Sequence, residues 1–425
     1  MSENRSNWAG NFAYSAANLY YPETVEQVQG IVSRSKKLKA LGTRHSFNGI
    51  ADSPGDLISL ERFERLFILD PVRRTVTVDA GARYGQVCQL LHRVGYALPN
   101  LASLPHISIA GACATATHGS GDSNGNLATA ISALEFVTAD GSLAILFRDE
   151  HRDHFSGAVV GLGGLGIVTK LTLDIVPAFH VAQSVYEDLP FAELEEHFDE
   201  ITSSGYSVSL FTNWQNERIN QVWVKRLLTS RTAREALGPQ PEVFGARLAP
   251  VQRHPIPGLL ADACTEQLGV PGPWCDRLPH FRMAFTPSSG EELQSEYLVP
   301  RQHAVAAFRA IAQLSDQISP ILQISEIRTI AADNLWMSPC YHQRCAAIHF
   351  TWKKDWDMVR RLLPMIEEQL APFDARPHWG KLFTMSAESV QSCYKRLSDF
   401  RRLLDSYDPQ RKFRNPFLDT FVFSS

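Results

Sequence analysis

Residues 133–147 read ALEFVTADGSLAILF, and residues 161–176 read GLGGLGIVTKLTLDIV. In the first stretch two apolar runs flank Asp140-Gly141, a dipeptide that favours a tight turn, so the sequence predicts a β-hairpin. In the second stretch a glycine-rich turn leads into an alternating run, which predicts a further strand. Short strands alternate here with short irregular helices, and this pattern favours an α+β fold over a doubly wound parallel sheet.

The flanking segments support the same fold class. Residues 23–33 and 84–94 each place apolar side chains on one helical face, and residues 75–79 (TVTVD) alternate as a strand. Near the C terminus, the charged run 388–406 predicts one helix.

The second half of the chain predicts a larger sheet. Residues 206–214 (YSVSLFTNW) and 219–228 (INQVWVKRLL) have the composition of strands, and residues 300–314 predict a helix that covers one face of that sheet. Residues 248–285 are rich in Pro and Gly and show little periodicity. They predict an irregular excursion over a surface or a site entrance.

Composition excludes several classes of protein. The chain has 425 residues, of which 44% are hydrophobic, and this length predicts two or three domains with a large core. Its formal charge of -4 argues against a nucleic-acid partner. No apolar run approaches the roughly 18 residues of a membrane span, and the polar N terminus does not resemble a signal peptide. The seven cysteines show no CxxC spacing. We therefore expect a cytoplasmic protein with reduced thiols and no membrane contact.

Three segments rich in small residues indicate a large ligand. They are residues 41–47 (LGTRHSF), 103–121 (SLPHISIAGACATATHGSG) and 161–169 (GLGGLGIVT). Small side chains let a flat ligand approach the backbone, and free N–H groups can hold a phosphate. Each segment taken alone is equally compatible with a tightly packed loop, and a lone histidine such as His45 is usually a structural hydrogen-bonding group.

Two strand-like segments place polar groups on one face. In QISEIRTI, alternation puts Glu326 and Arg328 on the same side, and in AIHFTW it does the same for His349 and Thr351. Burying four such groups without partners costs several kcal/mol, so they must pair with each other or face a polar ligand. The alternative is a solvent-exposed face, and a solvated side chain is likewise the alternative for Lys381 in HWGK.

Taken together, these segments resemble the vanillyl-alcohol-oxidase-type flavoproteins, and more closely the alditol (xylitol, sorbitol) oxidases. The resemblance runs from NWAGN near the N terminus to NPFLDTF near the C terminus. GTRHSF resembles the phosphate loop, and SLPHISIAG and ATHGSG resemble the other flavin-contacting loops. EIRTIAADNLWMSP and HWGK are shared with the sugar-lactone oxidases, whereas IHFTW points to the alditol branch.

The resemblance implies a two-part FAD-binding domain of the PCMH type and a substrate (cap) domain with a large antiparallel sheet covered by helices. The implied boundaries are 1–178 for the FAD-binding domain, 179–375 for the cap domain, and 376–425 for a C-terminal segment that returns to the flavin domain.

The resemblance also implies FAD as the cofactor, bonded covalently through His45 to the flavin 8α-methyl. A second bond from a cysteine is not expected. The implied FAD contacts are Leu41, Gly42, Thr43, Arg44, His45, Ser46, Phe47, Ser103, Ser108, Gly111, Ala112, Thr115, Gly119, Val168 and His378.

The implied reaction oxidises the terminal primary alcohol of xylitol or sorbitol to the aldose and reduces O2 to H2O2. The oxygen of the alcohol becomes more negative as hydride leaves its carbon, so Arg328 and Lys381 are expected to stabilise it. Lys381 or His349 is expected to take the proton. The expected substrate-binding residues are Ser103, Glu326, Arg328, Thr351 and Lys381. A small polyol and O2 are the expected partners of a monomer that holds no metal.

Ala102 precedes Ser103, near a position that can control oxygen access to the flavin in this superfamily. A side chain there leaves a dehydrogenase open as an alternative to an oxidase. A sugar-1,4-lactone oxidase or dehydrogenase also fits these segments, as does a protein that binds flavin or sugar without turnover. A zinc hydrolase fits poorly because neither HExxH nor HxxEH occurs.

Overall fold

Helices and strands alternate along the chain, and the computed structural model describes residues 5–228, 239–285 and 291–424. The α-helices are α1 (Val25–Arg34), α2 (Tyr84–Arg93), α3 (Ile109–Ala114), α4 (Arg148–Ala158), α5 (Phe191–Glu196), α6 (Phe198–Ser203), α7 (Ala304–Ala312), α8 (Ser315–Ile318), α9 (Trp356–Leu370), α10 (Ala387–Ser392), α11 (Leu397–Tyr407) and α12 (Pro416–Leu418). Single 3₁₀ turns lie at Gly49–Ala51, Leu127–Ala130, Ala261–Ala263, Trp274–Asp276, Arg301–His303 and Ala371–Phe373, and a π-helical turn lies at Asp419–Phe423. Among the described helices, none combines the length and apolar character that a membrane crossing requires.

Small sheets build the N-terminal part. The first ten strands are β1 (Asn18–Tyr20), β2 (Leu38–Ala40), β3 (Asp56–Ile58), β4 (Phe67–Asp70), β5 (Thr75–Asp79), β6 (Tyr96–Ala97), β7 (Ile131–Val137), β8 (Leu143–Phe147), β9 (Ile167–Asp174) and β10 (Val176–Pro177). A parallel sheet has the order β1-β3-β2, an antiparallel sheet has the order β4-β5-β9-β7-β8, and β6 pairs with β10. The predicted hairpin is confirmed as β7 and β8, and its turn includes Gly141 at a φ of 88°, which glycine adopts readily.

Among the described residues of the second half, a ten-stranded antiparallel sheet dominates. Its strands are β11 (His180–Pro190), β12 (Ser207–Thr212), β13 (Arg218–Leu228), β14 (Glu242–Val243), β15 (Ala246–Leu248), β16 (Pro271–Pro273), β17 (Glu292–Pro300), β18 (Leu322–Ile330), β19 (Cys345–Lys353) and β20 (Arg376–Pro377). The order is β14-β15-β11-β13-β12-β18-β19-β17-β20, with β16 paired to β11. The register sets His349 of β19 opposite both Glu296 of β17 and Glu326 of β18. Three acid–base side chains therefore form a row across three neighbouring strands.

One face of this sheet is apolar and lies under helices. Ile327, Ile348 and Phe350 share a hydrophobic cluster with Phe308 of α7 and Leu363 of α9. These three strand residues alternate with the polar residues predicted for the opposite face, so that prediction and the α+β fold with a helix-covered antiparallel sheet are both confirmed.

The C-terminal residues pack with the N-terminal sheets. Trp379, Phe400 and Val422 belong to the same hydrophobic cluster as Val76 and Leu134. The proposed boundaries at residues 178 and 375 themselves remain a prediction.

The prediction of one helix over residues 388–406 is wrong. The segment forms α10 and α11, which are separated between Ser392 and Leu397. In the interruption, the buried ring of Tyr394 stacks on Trp379 at 4.9 Å between ring centres. We attribute the break to this packing, which helical periodicity does not reveal.

Candidate functional site

A cavity of about 960 Å³ is lined by residues from both halves of the chain. The loop of residues 41–47 and α3 contribute one side, and the polar faces of β17, β18 and β19 contribute the other. Part of the irregular segment 248–285 also lines it, including His254, Ile256 and His280. The volume lies at the upper end of the range for ligand pockets, which suits a large cofactor beside a small substrate.

The loop of residues 41–47 lies against the start of α3. A side chain at Gly42 would place its Cβ 2.7 Å from Ser108 Oγ, and one at Gly111 would place it 2.8 Å from the same oxygen. The backbone N–H of Ser108 donates to Thr43 Oγ1 at 3.1 Å. The absence of side chains at these two glycines lets the loop and α3 pack closely, so backbone and hydroxyl groups form this wall of the cavity. Such a wall fits a flat dinucleotide with phosphate oxygens, and FAD is a group of this kind.

His45 lies in this wall. Its ring stacks on Trp8 with 5.4 Å between centres, and Nδ1 is 3.0 Å from Thr43 Oγ1. Burial, helped by the nearby His106 and Arg83, lowers the pKa of His45 to about 4. The imidazole is therefore neutral at physiological pH, and one ring nitrogen keeps the lone pair that a nucleophile needs.

Hydrogen bonds connect the loop of residues 41–47, which we call the cofactor loop, and the following Asn48 to the HWGK segment of residues 378–381. Phe47 N–H donates to the Gly380 carbonyl at 2.8 Å, and the Asn48 side-chain amide donates to the carbonyls of Trp379 and Lys381 at 2.9 and 2.8 Å. These bonds hold the backbone that carries Lys381 against the loop that carries His45.

Glu296 lies at the centre of a buried group of charges. Its carboxylate accepts hydrogen bonds from Arg328 Nη2 at 2.5 Å and from Lys381 Nζ at 2.7 Å, and His118 Nε2 is 3.4 Å away. Burial alone would raise the pKa of Glu296, but the charges of Lys381 and Arg328, with His118, hold it well below its usual range. The ionised carboxylate fixes the positions of both cations.

Lys381 also donates to His349. The distance from Lys381 Nζ to His349 Nδ1 is 2.7 Å, and His349 Nε2 is 3.1 Å from Thr351 Oγ1. An ammonium group only donates, so Nδ1 accepts and Nε2 carries the proton of the neutral ring. Burial and the charge of Lys381 hold the pKa of His349 well below its usual range, and burial lowers the pKa of Lys381 as well. The pair is a compact acid–base unit inside the cavity.

Glu326 and Arg328 lie beside this unit. Glu326 Oε1 is 2.7 Å from His280 Nε2 and 3.6 Å from Arg328 Nε, and Arg328 Nη1 donates to Ser103 Oγ at 3.4 Å. Burial would raise the pKa of Glu326, but Arg328 and His280 outweigh it and hold that pKa well below its usual range. Arg328 Nε is buried and lacks a hydrogen-bond partner among the described residues, so the site retains an unused donor.

The structure brings most of the expected site residues to this one cavity. The residues that line it are Leu41, Gly42, Thr43, Arg44, His45, Ser46, Phe47, Ala102, Ser103, Ser108, Gly111, Ala112, Thr115, Val168, Glu326, Arg328, His349, Thr351, His378 and Lys381. Gly119 is instead packed against the Leu101 carbonyl, which a Cβ would approach to 2.2 Å, and its neighbour His118 lines the cavity. The solvent-exposed alternative is excluded for the polar face, because its four side chains are buried, and for Lys381, because its side chain is only 14% exposed and bonded to Glu296 and His349.

Sequence reasoning missed Glu296 and His280. The alternation of Glu292, Gln294 and Glu296 with Leu293 carried a usable signal for a polar strand face. His280 lies in an irregular segment, and no periodic signal could have identified it.

Comparison with known proteins agrees with this architecture. Residues 16–146 match the FAD binding domain family, and residues 288–421 match the D-arabinono-1,4-lactone oxidase family. The chain is 48% identical to the alditol oxidase of Streptomyces sp. over 98% of this chain and 99% of that protein. It is 26% identical to the L-gulonolactone oxidase of Scyliorhinus torazame and to the L-gulono-1,4-lactone dehydrogenase of Mycobacterium tuberculosis, over 98% of each chain.

Solved structures show the same fold at low identity. Cholesterol oxidase from B. sterolicum superposes with a TM-score of 0.76 at 15% identity, covering 98% of this chain and 96% of that one. Xylooligosaccharide oxidase from Myceliophthora thermophila gives 0.74 at 17% identity, covering 97% and 93%. The fold, the dinucleotide-sized cavity and the full-length identity lead to one assignment. The chain belongs to the alditol oxidase family of vanillyl-alcohol-oxidase-type flavoproteins, which are FAD-dependent oxidoreductases.

Proposed function

We propose that this protein oxidises the terminal primary alcohol of an alditol such as xylitol or sorbitol to the aldose, with O2 as the acceptor and H2O2 as the second product. The observation that carries the proposal is the convergence of Lys381, His349, Arg328 and Glu326 inside the cavity that the cofactor loop also lines. The 48% identity to an alditol oxidase supports the substrate class.

FAD, held by the loop of residues 41–47 and the start of α3, would supply the two-electron oxidant for the alcohol carbon and the electrons that reduce O2. We propose that it is bonded covalently through His45. The neutral ring and its stacking on Trp8 support this proposal, because a nucleophilic nitrogen must be unprotonated and held in place.

The substrate's other hydroxyl groups are bound by Glu326, Thr351 and Ser103. A carboxylate only accepts, whereas the two hydroxyls can both donate and accept, so together they match the dual character of polyol oxygens. A substrate that lacks one of these hydroxyls would leave a buried polar group unpaired. We therefore expect strong discrimination in favour of polyols.

The reacting hydroxyl lies between Arg328 and the Lys381–His349 pair in this proposal. Its proton passes to Lys381 Nζ as Lys381 passes one of its own protons to His349 Nδ1, 2.7 Å away, so Lys381 stays charged and stabilises the oxygen together with Arg328 as it becomes negative. Glu296 holds both cations in position, and because it carries one negative charge against their two, the three groups together keep a net positive charge beside the substrate. The overall balance is one alcohol and one O2 converted to one aldehyde and one H2O2.

A sugar-1,4-lactone substrate is the second candidate, because residues 288–421 match the D-arabinono-1,4-lactone oxidase family. The lower identity to the gulonolactone enzymes, 26%, makes it the weaker candidate. We further propose that the enzyme is a cytoplasmic monomer.

The test measures H2O2 formation in air from purified protein with xylitol or sorbitol, and with galactono-lactone as the comparator. Peroxide from the polyols alone supports the proposal. Peroxide from the lactone alone moves the assignment to the second candidate, and anaerobic flavin bleaching without peroxide in air identifies a dehydrogenase. A flavin that no polyol or lactone bleaches would contradict both candidates.

A further inference from the structure

A second chain of buried hydrogen bonds approaches the site from the side opposite Glu296. Lys225 of β13 is 1% exposed, and its Nζ is 3.0 Å from His280 Nδ1 while it also donates to the Leu278 carbonyl. His280 Nε2 in turn is 2.7 Å from Glu326 Oε1. A cation, an imidazole and a carboxylate thus form a line from the sheet interior to the cavity.

The direction of these bonds follows from the chemistry of the groups. The ionised carboxylate of Glu326 only accepts, so His280 Nε2–H donates to it. A neutral imidazole has one acceptor and one donor nitrogen, so Nδ1 accepts from Lys225, whose pKa burial lowers to about 7 and whose amine and ammonium forms both donate. Burial and the charge of Lys225 lower the pKa of His280 to about 4, which keeps the ring neutral. Oε1 of Glu326 is therefore engaged by His280, and the carboxylate cannot rotate freely.

His280 is itself held firmly. Its ring contacts Phe211 and Trp223 edge-on, with centres 5.6 and 5.2 Å apart. The backbone N–H groups of His280 and Phe281 both donate to the Ser103 carbonyl, at 3.1 and 3.3 Å. One residue of an irregular segment therefore contacts two of the proposed hydroxyl-binding residues, Ser103 through its backbone and Glu326 through its ring.

We propose that Lys225 is a positioning residue for the substrate. Its donation to Nδ1 stabilises the His280 tautomer and ring orientation that donate to Glu326 Oε1, and this leaves the other carboxylate oxygen to accept a hydroxyl of the polyol. The inference rests on the proposed function, because it assigns Glu326 to substrate binding. Lys225 and His280 would contact no reacting atom, so their removal should weaken substrate binding more than the chemical step.

The test compares Lys225→Met and Glu326→Gln with the double variant in the H2O2 assay with xylitol. We expect Lys225→Met to raise KM about tenfold, equivalent to about 1.4 kcal/mol, while kcat changes less than about twofold. In the Glu326→Gln background the same substitution should change kcat/KM less than about twofold, because Lys225 would act only through that carboxylate.

Lys412→Met is the matched control. Lys412 is also a buried lysine bonded to backbone carbonyls, those of Val32 and Ala139, and it does not line the cavity. Its substitution should lower thermal stability and leave KM unchanged. His280→Phe, which preserves the aromatic packing against Trp223, should reproduce the KM effect of Lys225→Met.

The outcomes separate this inference from the proposed function. A wild-type protein that does not turn over polyols overturns both. If the wild type is active, an unchanged KM in Lys225→Met overturns the inference alone. The inference is also overturned if the fold-changes in kcat/KM of the two single variants multiply in the double variant. Loss of folding or of flavin in both Lys225→Met and His280→Phe also overturns it, because these residues would then have a purely structural role.

Discussion

Replacing Glu296 with Gln should lower kcat strongly without removing any group that touches the substrate in our proposal. Gln keeps the size of the side chain but removes the negative charge between Arg328 and Lys381. The two affected contacts are 2.5 and 2.7 Å long; Glu296 and Arg328 are buried, and the Lys381 side chain is 14% exposed.

The magnitude follows from these distances. At an effective dielectric constant of about 20, a unit charge pair at this separation is worth roughly 6 kcal/mol. The loss of solvation offsets part of that attraction, and removing one member of a buried pair typically costs about 3–5 kcal/mol. Some of the loss appears as lower stability. Displacement of Arg328 and Lys381 from the developing oxyanion should lower kcat about 100-fold, as expected for the loss of one such stabilising group.

The pH profile gives a second and more specific readout. The charge of Glu296 raises the pKa of Lys381, opposing the effect of burial. In Glu296→Gln that pKa should fall further. If the charged form of Lys381 stabilises the oxyanion, activity in the variant should be lost at a lower pH on the alkaline side than in the wild type.

The assay is H2O2 formation with xylitol across the pH range, normalised to bound flavin. Glu367→Gln is the control, because Glu367 also accepts a hydrogen bond from a β17 side chain, Tyr297 at 2.8 Å, but lies outside the cavity. A flavin-replete Glu296→Gln protein whose kcat stays within about threefold of the wild type, with the same alkaline limit, would refute the argument.

Four further outcomes follow from the same geometry. His45→Ala should abolish covalent flavin while some FAD still binds, so acid precipitation should give colourless protein from the variant and yellow protein from the wild type; a colourless wild type contradicts covalent attachment. Lys381→Met should lower kcat about 100-fold with little change in folding, measured by turnover and circular dichroism, and near-normal turnover would remove Lys381 from the mechanism. Ala102→Gly should increase the rate of flavin reoxidation by O2 if the buried methyl restricts oxygen access, as stopped-flow absorbance would show. Finally, the pKa of His280 is about 4 when folded, against about 6.5 when unfolded, so the unfolded chain binds more protons between these values. The free energy of unfolding should therefore decrease as pH falls from about 6.5 to 4, with a smaller decrease in His280→Phe; equal slopes in chemical denaturation would contradict this assignment.

Much of the cavity could be predicted from local patterns. Period-two alternation in β18 and β19 placed Glu326, Arg328, His349 and Thr351 on one face, and the structure has them there. Small residues in the loop containing His45 indicated a close approach of backbone to ligand. Both properties are local: side chains alternate along any strand, and small side chains leave the backbone accessible wherever they occur.

Other features depended on contacts between distant segments. The sequence pattern of residues 388–406 predicted one helix. That pattern carries no information about the stacking of Tyr394 on Trp379, a residue outside the segment. The row formed by Glu296, His349 and Glu326 exists only because β17, β19 and β18 are neighbours in this register. Strand order is a property of the whole sheet, and no single strand encodes it.

The sequence by itself determined that this chain has small-residue loops and two strands with polar faces, and that such faces need partners once they are buried. Only the tertiary structure decided which partners they have. Glu296 bridges Arg328 and Lys381, and Lys225 is bonded to Glu326 through His280, although these residues lie on segments far apart in the chain. The physical reason is that the cost of burying a charge is set by the group itself, whereas the compensating contact is set by where the rest of the chain folds.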